Sequence, residues 1–372
     1  MLTLVCILPY GKINAAYPEI SAQAAVLIEA ESGNVICEKA MHEVRPMAST
    51  TKIMTALVTL EHYAANGRSL DEAVAVDSTA VGVEGSSIYL KNGESLTMEA
   101  LLYAMLLESA NDAAAAIAVE VSGSIADFAA LMNAKAEMLG LEHTSYADPH
   151  GLDDENNHSC AYDLAKLGAY ALANDDFRQI VSTKKQVIVN ESGDQSRLLV
   201  NHNKLLRLYE GTVGVKTGYT KKSGRCLVSA VERDGVLLIA VTLGAPDDWN
   251  DHIALFDYGF TKYECIQLAD AGQENYTLPV IGGEAEFVSC RNSDALHAII
   301  ETGSQAVEKT VELKRFYYAP VHTGDVLGYA VFTLNGIEIG RAPLIAVHDV
   351  PQLTEKGFFE RIADRIAAWF GK

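Results

Sequence analysis

Hydrophobic and polar positions alternate at both ends of the first part of the chain and follow a helical period between them. The alternation predicts two strands within 23–38, joined by a turn at Glu31-Ser32-Gly33, and a hairpin within 226–243 across the Asp-Gly turn at Asp234-Gly235. Helical spacing of apolar residues predicts helices over 49–65, after a capping Thr97, and over 112–121, 124–139, 163–173 and 251–258. We therefore predict an α+β domain in which distant segments close one sheet and helices pack on it.

The pattern changes after about residue 264, where short β-rich runs separated by glycines replace the helical periodicity. These runs include 311–317, 330–334 and 344–347. We predict a small all-β domain over 265–350.

The last segment, 353–372, predicts an amphipathic helix that Pro351 separates from the domain before it. Charged residues occupy one face. The other face carries bulky apolar residues at helical spacing: Phe359, Ile362, Ile366, Trp369 and Phe370. Three large aromatics on one stripe favour a helix that lies on a membrane surface. A helix docked on its own domain, or a dimer contact, is the alternative.

The first residues are typical of a processing signal. A short apolar run at 2–8 is followed by the small residues 14–16, which suit cleavage near Ala16, although the usual basic residues do not precede the run. We therefore expect a truncated signal peptide over 1–16, a first domain over 17–262 and secretion. A buried N-terminal strand is the alternative.

Composition narrows the range of functions. At about 150 residues per domain, 372 residues correspond to about two domains. With a net charge of −20, the chain has no overall positive electrostatic field that would attract a polyphosphate. We therefore do not expect nucleic acid to be the main partner. No apolar run reaches the ~18 residues that span a bilayer. The six cysteines form no Cys-x-x-Cys pair, and removal of Cys6 would leave an odd number, so a disulfide scaffold is not expected.

The first candidate for chemistry is Ser49-Thr50-Thr51-Lys52, at the start of a predicted helix. Residues three apart share a helix face, so Ser49 and Lys52 would point into the same site. A serine nucleophile needs a neighbouring base, and a lysine can serve once burial or a nearby cation lowers its pKa. By itself, the pattern also fits a capping serine on a surface helix.

Two further motifs carry polar groups between predicted elements. In Ser109-Ala110-Asn111, the serine can relay a proton and the asparagine offers both a donor and an acceptor to a substrate amide. In Lys216-Thr217-Gly218, the cation and the hydroxyl suit a carboxylate, and the glycine allows a ligand backbone to approach closely. Alone, these motifs also fit a helix cap and an edge-strand turn.

The three motifs together, in this order, resemble those of the low-molecular-weight penicillin-binding proteins that are D-alanyl-D-alanine carboxypeptidases. The middle motif has Ala110 where the pattern has aspartate, which leaves the flanking serine and asparagine in place. The resemblance covers about 20–262 and extends to the small β domain and the tail. Further matching segments are Gly85-Ser86-Ser87, His150-Gly151-Leu152-Asp153 and Leu243-Gly244-Ala245. It implies a β-lactamase/transpeptidase-like catalytic domain with an antiparallel sheet and helices.

The resemblance also implies a reaction. Ser49 would attack the carbonyl between the two D-alanines that end a peptidoglycan stem pentapeptide, and Lys52 would be the general base. Ser109 would pass the proton to the leaving D-alanine, and Asn111 would hold the substrate backbone. Water would then release the acyl-enzyme.

The remaining roles concern the strand with the third motif. Lys216 and Thr217 would bind the terminal carboxylate, and Gly218 would let the substrate backbone approach. The backbone N–H groups of Ser49 and Tyr219 would form the oxyanion hole. The resemblance implies no cofactor and no metal. It implies β-lactam antibiotics as covalent inhibitors, and attachment to the outer face of the cytoplasmic membrane through 353–372.

Three alternative functions are compared with this one. A class A β-lactamase would need a deacylating carboxylate in a Glu-x-x-Leu-Asn segment, and 112–215 contains none. A non-hydrolytic β-lactam receptor would need a transmembrane segment. A metal-dependent peptidase would use ligands from the following set, whose spacing fits a loop better than a helical metal site: His150, Asp153, Asp154 and His158.

Overall fold

The structure is a computed structural model that describes residues 18–304 and 306–353. The chain divides into two compact units, one up to Lys262 and one from Tyr263. The predicted signal peptide and all but the first residue of the predicted tail helix lie outside the described residues.

The first unit is built around a five-stranded sheet in the order β2-β1-β11-β10-β9, in which every neighbouring pair is antiparallel. Its strands come from the two ends of the unit, as the alternation of polar and apolar residues predicts. Short two-stranded pairs complete the set: β3 with β6, β4 with β5, and β7 with β8. The strands are β1 Ala24–Glu29, β2 Val35–Lys39, β3 Arg45–Pro46, β4 Ala73–Ala75, β5 Ser95–Thr97, β6 His158–Ser159, β7 Lys185–Val189, β8 Ser196–Val200, β9 Thr212–Thr220, β10 Gly224–Arg233 and β11 Val236–Leu243.

Eight α-helices accompany this sheet within the described residues. The predicted cap is present, because the Thr97 side chain accepts a hydrogen bond from the Ala100 N–H at the start of α2. Gly123 ends α3 in the left-handed conformation, with φ of +83°, which glycine adopts without steric cost. The helices are α1 Lys52–Ala65, α2 Met98–Leu107, α3 Asn111–Ser122, α4 Ile125–Met138, α5 Ala161–Leu172, α6 Asp175–Ser182, α7 Leu205–Leu208 and α8 Asp248–Phe260.

Helices cover both faces of the central sheet. The α5 helix brings Gly168 close to Val228 of β10 on one face, where a larger residue would meet the valine side chain. On the other face, His252 of α8 is hydrogen-bonded to Ser229 and Thr242. The sheet is therefore a buried middle layer, and the expected α+β class is confirmed.

The segment α6 is the main helix that the periodicity does not predict. It is short and begins with Asn174, whose side chain accepts from the Phe177 N–H. Only Phe177, Ile180 and Val181 are buried, so its apolar stripe is too brief to stand out in the sequence.

The second unit contains strands and no α-helix among the residues described. β12 pairs with β15, and a six-stranded sheet has the order β16-β18-β19-β14-β13-β17. The two-residue strand β17 pairs in parallel with β13, whereas the other pairs are antiparallel. The strands are β12 Tyr263–Ala269, β13 Asn275–Ile281, β14 Phe287–Arg291, β15 Leu296–Glu301, β16 Glu308–Leu313, β17 Tyr317–Tyr318, β18 Val326–Leu334 and β19 Ile337–Ala346. The predicted all-β character is confirmed.

Among the described helices, no single one has the length and apolar character needed to cross a membrane. Helices α3 and α4 have the length and apolar composition of a membrane span only when they are taken together, and the pair is bent by 83°.

Candidate active site

Ser49 lies in a single turn of 3₁₀-helix, Ala48–Thr51, that leads directly into α1. Two threonine hydroxyls hold this turn, because Thr50 donates to the Met47 carbonyl at 2.7 Å and Thr51 donates to the Ala48 carbonyl at 2.8 Å. The preceding Ala48 has φ of +49°, a conformation that L-residues rarely adopt. The turn therefore presents Ser49 at a fixed point at the start of a buried helix.

Lys52 lies one turn further on and contacts Ser49, as the three-residue spacing predicts. Its Nζ donates to Ser49 Oγ at 2.9 Å, to Asn111 Oδ1 at 2.7 Å and to the His150 carbonyl at 2.5 Å. The side chain has no exposed surface. In the ammonium form these three bonds use all the hydrogens of Nζ. In the neutral form the amine keeps two hydrogens, and its lone pair lies within reach of the Ser49 hydroxyl proton.

The second motif lies between α2 and α3. Asn111 starts α3 and spans the site: its Oδ1 accepts from Lys52, while its Nδ2 donates to the Glu84 carbonyl at 2.6 Å. Ser109 has φ of +59° and is nearly buried, in the bend that separates the two helices. Non-glycine residues rarely adopt this backbone conformation, and such residues cluster at functional sites.

Gly85 faces the same asparagine. A Cβ at Gly85 would lie 2.7 Å from Asn111 Nδ2, and its φ of +91° favours glycine. The Asn111 backbone N–H also donates to the Ser86 carbonyl at 2.7 Å. Asp112 completes this wall, since its carboxylate accepts from Ser87 Oγ at 2.6 Å and from the N–H of Leu90 at 3.0 Å.

The third motif lies on β9, which is the end strand of the central sheet. Lys216 is buried, Thr217 and Gly218 are partly exposed, and Tyr219 is exposed. Gly218 packs against the Ala48–Thr51 turn, because a Cβ there would lie 3.0 Å from the Ser49 backbone nitrogen and 3.1 Å from the Met47 carbonyl oxygen. The glycine thus brings the strand and the turn into close contact.

A cavity of about 770 Å³ joins these elements. Ser49, Ser109, Thr217, Gly218 and Tyr219 all line it, so the structure brings residues from all three motifs to one opening. Lys52, Asn111 and Lys216 lie behind this lining, and Lys52 is bonded to both Ser49 and Asn111.

One wall of the cavity carries charges that the motifs do not include. Lys204, Arg207 and Arg225 line it together with Asp248 and Trp249. Arg225 is paired with Asp248 at 3.3 Å. In a chain of net charge −20, this wall offers cations to an anionic ligand.

Burial and repulsion act on the two buried lysines. Burial lowers the pKa of Lys52 well below its ordinary value, and the Lys216 charge lowers it further, while Asp148 and Asp112 oppose the shift. Burial also lowers the pKa of Lys216, to about 7. Both shifts favour the neutral amine over the ammonium form, compared with an exposed lysine.

The loop at 148–151 supplies groups to which the sequence assigns no role. The His150 carbonyl accepts from Lys52, and the Asp148 carboxylate accepts from the backbone N–H groups of His150 and Gly151 at 2.8 and 2.6 Å. Gly151 lies against the Ala48–Thr51 turn, where a Cβ would be 2.0 Å from the Ala48 carbonyl oxygen. The motif 150–153 marks this loop, but a backbone carbonyl leaves no side-chain signature.

Burial raises the pKa of Asp148, yet hydrogen bonds from His150 and from the loop amides outweigh it and hold the pKa below its usual value. Asp148 is therefore an anion that partly balances the buried lysines.

Sequence reasoning also missed the pair of Glu108 and His202. Glu108 ends α2 next to Ser109, and its carboxylate accepts from the Val200 N–H at 2.6 Å and lies 3.1 Å from His202 Nε2. Burial, and then the Lys216 charge, lower the pKa of His202. Because a carboxylate only accepts, a neutral His202 must carry its proton on Nε2. The pair connects the end of α2 to the segment that follows β8.

The four proposed metal ligands have separate surroundings. His150 is paired with Asp148, Asp153 accepts from Thr220 at 2.7 Å, Asp154 accepts from the Asn156 N–H, and His158 contacts the Glu155 carbonyl. Across the described ranges, no three histidine, cysteine, aspartate or glutamate residues are grouped as a metal site would require.

Comparison with known families covers most of the chain. Residues 12–247 match the peptidase S11 family, described as D-alanyl-D-alanine carboxypeptidase. Residues 263–352 match the family described as penicillin-binding protein 5, C-terminal domain.

Individual relatives match over nearly their whole length. The chain is 31% identical over 353 residues to the D-alanyl-D-alanine carboxypeptidase DacF of Bacillus subtilis, covering 94% of this chain and 90% of the relative. It is 32% identical over 375 residues to DacC of Escherichia coli, covering 95% and 90%. The crystal structure of penicillin-binding protein 5 from Haemophilus influenzae aligns with a TM-score of 0.67 at 28% identity, over 91% of this chain and 100% of that chain.

Proposed function

The chain belongs to the peptidase S11 family of D-alanyl-D-alanine carboxypeptidases, and from this membership and the geometry of the site we propose that it removes the terminal D-alanine from peptidoglycan stem pentapeptides through an acyl-enzyme on Ser49. The observation that carries the assignment of Ser49 is its contact with Lys52. The two side chains lie 2.9 Å apart, and the lysine is fully buried beside a second cation.

The acylation step uses Lys52 as the base. Its neutral amine accepts the proton of Ser49 Oγ, while Oγ bonds to the carbonyl carbon between the two D-alanines. The C–N bond then breaks as the proton taken up by Lys52 passes through Ser109 to the amine of the leaving D-alanine. Water hydrolyses the resulting ester and regenerates Ser49.

The free edge of β9 suits an extended peptide. β10 pairs with one edge of this strand, and the cavity lies along residues 217–219. We place the peptide beside this edge, with Asn111 across the cavity holding its backbone amide. Lys216 and Thr217 would bind the terminal carboxylate, and the partly exposed Gly218 leaves room for the substrate backbone.

The oxyanion would lie between the turn and the strand. The close approach of Gly218 to the Ser49 backbone nitrogen supports assigning the N–H groups of Ser49 and Tyr219 to the oxyanion hole. Two such donors would stabilise the negative charge that develops on the carbonyl oxygen.

The direct test is release of D-alanine from a D-Ala-D-Ala peptide. We expect Ser49→Ala to abolish release, because it removes the oxygen that would form the ester, and to retain the fold, which circular dichroism would check. Ser192→Ala removes the hydroxyl of an exposed serine in the turn between β7 and β8, outside the lining of the cavity, and serves as the control. Release by the Ser49→Ala enzyme would remove Ser49 from the mechanism.

We also propose that the chain is secreted and is held at the outer face of the membrane by 353–372. The apolar run at 2–8 and the apolar face of the tail support this proposal. Ending the chain at Gln352 should leave turnover on a short peptide unchanged and should reduce binding to lipid vesicles. Equal vesicle binding by the two chains would return the tail to the docked or dimer-forming alternative.

A further inference from the structure

The second unit exposes a group of large apolar side chains where its described chain ends. Ile281, Phe316, Tyr318 and Leu353 are 46%, 41%, 69% and 59% exposed. We call these four residues the aromatic patch. Large exposed apolar side chains that gather in one place mark an interaction surface more often than single ones do.

Strand pairing places the patch on one outward face. Ile281 of β13 and Tyr318 of β17 are direct partners in the parallel pair, and paired residues point to the same side of a sheet. The preceding pair, Val280 and Tyr317, points the other way and is more buried. The rings of Phe316 and Tyr318 meet edge to face, with their centroids 5.4 Å apart.

The chain leaves the domain beside this face. The Leu353 N–H donates to the Gly282 carbonyl at 2.8 Å, and Gln352 bridges to Gly283. Leu353 is therefore fixed next to Ile281, and the segment 354–372 begins at the patch. That segment carries the apolar residues whose spacing predicts a membrane-surface helix.

Charge near the patch favours one kind of partner. Lys314 and Arg315 immediately precede Phe316 and are exposed, whereas Glu284 and Glu286 lie in the turn after β13. Two cations followed by exposed aromatic rings are typical of segments at a membrane interface.

We propose that the aromatic patch is a second membrane-contact surface, which inserts Phe316 and Tyr318 among lipid headgroups beside the point where the tail begins. This proposal rests on the proposed membrane attachment of 353–372. It gives the small β domain a role in holding the enzyme on the bilayer by two adjacent contacts.

The test measures binding of the full chain to phosphatidylcholine vesicles, with and without phosphatidylglycerol. We expect the double variant Phe316→Ser/Tyr318→Ser to lower the partition coefficient about tenfold, because two rings no longer leave water. The matched control is Ile337→Ser, a 70% exposed residue at the turn between β18 and β19, which should bind normally.

Charge reversal gives an independent variant that leaves the aromatic rings intact. Lys314→Glu/Arg315→Glu should weaken binding to phosphatidylglycerol vesicles by about fivefold or more for each cation at low salt. Binding to pure phosphatidylcholine should change little.

A fluorescent probe reports the contact directly. A polarity-sensitive dye on Tyr318→Cys should shift to the blue when vesicles are added and should be quenched by headgroup-labelled lipid, whereas a dye on Ile337→Cys should do neither. Dye coupled to the unsubstituted chain gives the background of its own cysteines. A shift already present without vesicles would mean that the tail or a second copy covers the patch, and would overturn the proposal.

The outcomes separate the two proposals. If the unsubstituted chain does not bind vesicles, membrane attachment fails and the patch proposal fails with it. If the chain binds but the patch variants bind equally well, attachment by the tail stands and only the patch proposal is wrong.

Discussion

The active-site cavity of the first unit and the outer face of the second unit depart from ordinary burial in opposite directions. The cavity region buries charge, since Lys52 and Lys216 have almost no exposed surface. The outer face exposes apolar surface, since Tyr318 and Ile281 extend into solvent. Folding by itself favours neither arrangement. Burying a charge costs free energy, and leaving an aromatic ring exposed loses the stabilisation that its burial would give.

This difference in burial matches the function that we propose for each region. A buried amine acquires a lowered pKa and can act as a base, so the cost of burial becomes chemical reactivity. An exposed aromatic ring leaves apolar surface that a binding partner can bury. Variants should therefore separate the regions: those in the cavity should change turnover and not vesicle binding, and those in the patch should do the reverse.

The largest effect should come from Lys52→Arg. A guanidinium keeps its proton at any usable pH, so the base is lost while the positive charge remains. We expect acylation by a β-lactam to fall by about a thousandfold or more, measured as a stopped-flow rate. Normal acylation by this variant would place the base on another residue.

A smaller effect should come from Lys216→Ala. We expect a loss of about a hundredfold in kcat/KM, as for one charged hydrogen bond to the substrate carboxylate. Replacing the terminal D-alanine by its amide should cost about as much, and the two losses should not add, because both remove the same ion pair. Full additivity would show that Lys216 contacts another group.

The cost of burying this lysine should appear in stability. Between about pH 7 and 10.5, the unfolded chain keeps a proton on Lys216 that the folded chain has released, so this residue makes the free energy of unfolding rise with pH. Lys216→Met should remove that part of the slope and should increase stability at pH 7. Denaturant titrations of both proteins at several pH values would measure it, and parallel curves would contradict a lowered pKa.

The smallest effect in the cavity should come from the pair of Glu108 and His202, which acts through its neighbours. His202→Asn should lower kcat/KM by about fivefold or less, as for a partly exposed charged contact. It should also shift the pH profile, because His202 lies near Lys216. His202→Gln, which can still donate to Glu108, should restore much of the rate. A variant with an unchanged pH profile would limit the pair to a structural role.

The sequence predicts well which motif residues come together in the candidate site, and it predicts poorly the groups that support them. The contact between Ser49 and Lys52 follows from their three-residue spacing at the start of a helix. The hairpin of β10 and β11 follows from its Asp-Gly turn. The meeting of Asn111 with Lys52 depends on tertiary packing across 59 positions, which no local pattern contains. Before the structure is known, only the resemblance of the three motifs to the family predicts that these residues share one site.

The same limit applies to the groups that sequence analysis missed. The role of the His150 loop is played by a backbone carbonyl, and the pair of Glu108 and His202 joins elements 94 residues apart. The aromatic patch is likewise invisible as a motif, because β13 and β17 become neighbours only in the folded sheet. The periodicity of apolar residues indicates which face of a helix or strand is apolar, but it does not indicate which other element packs against that face.

The most direct test of the central claim is to locate the covalent adduct. The intact protein is treated with penicillin, digested, and analysed by mass spectrometry. We predict one penicilloyl group, carried by Ser49 and missing from the Ser49→Ala protein. An adduct on Ser109 or another residue, or labelling that survives in Ser49→Ala, would contradict the assignment of Ser49 as the nucleophile.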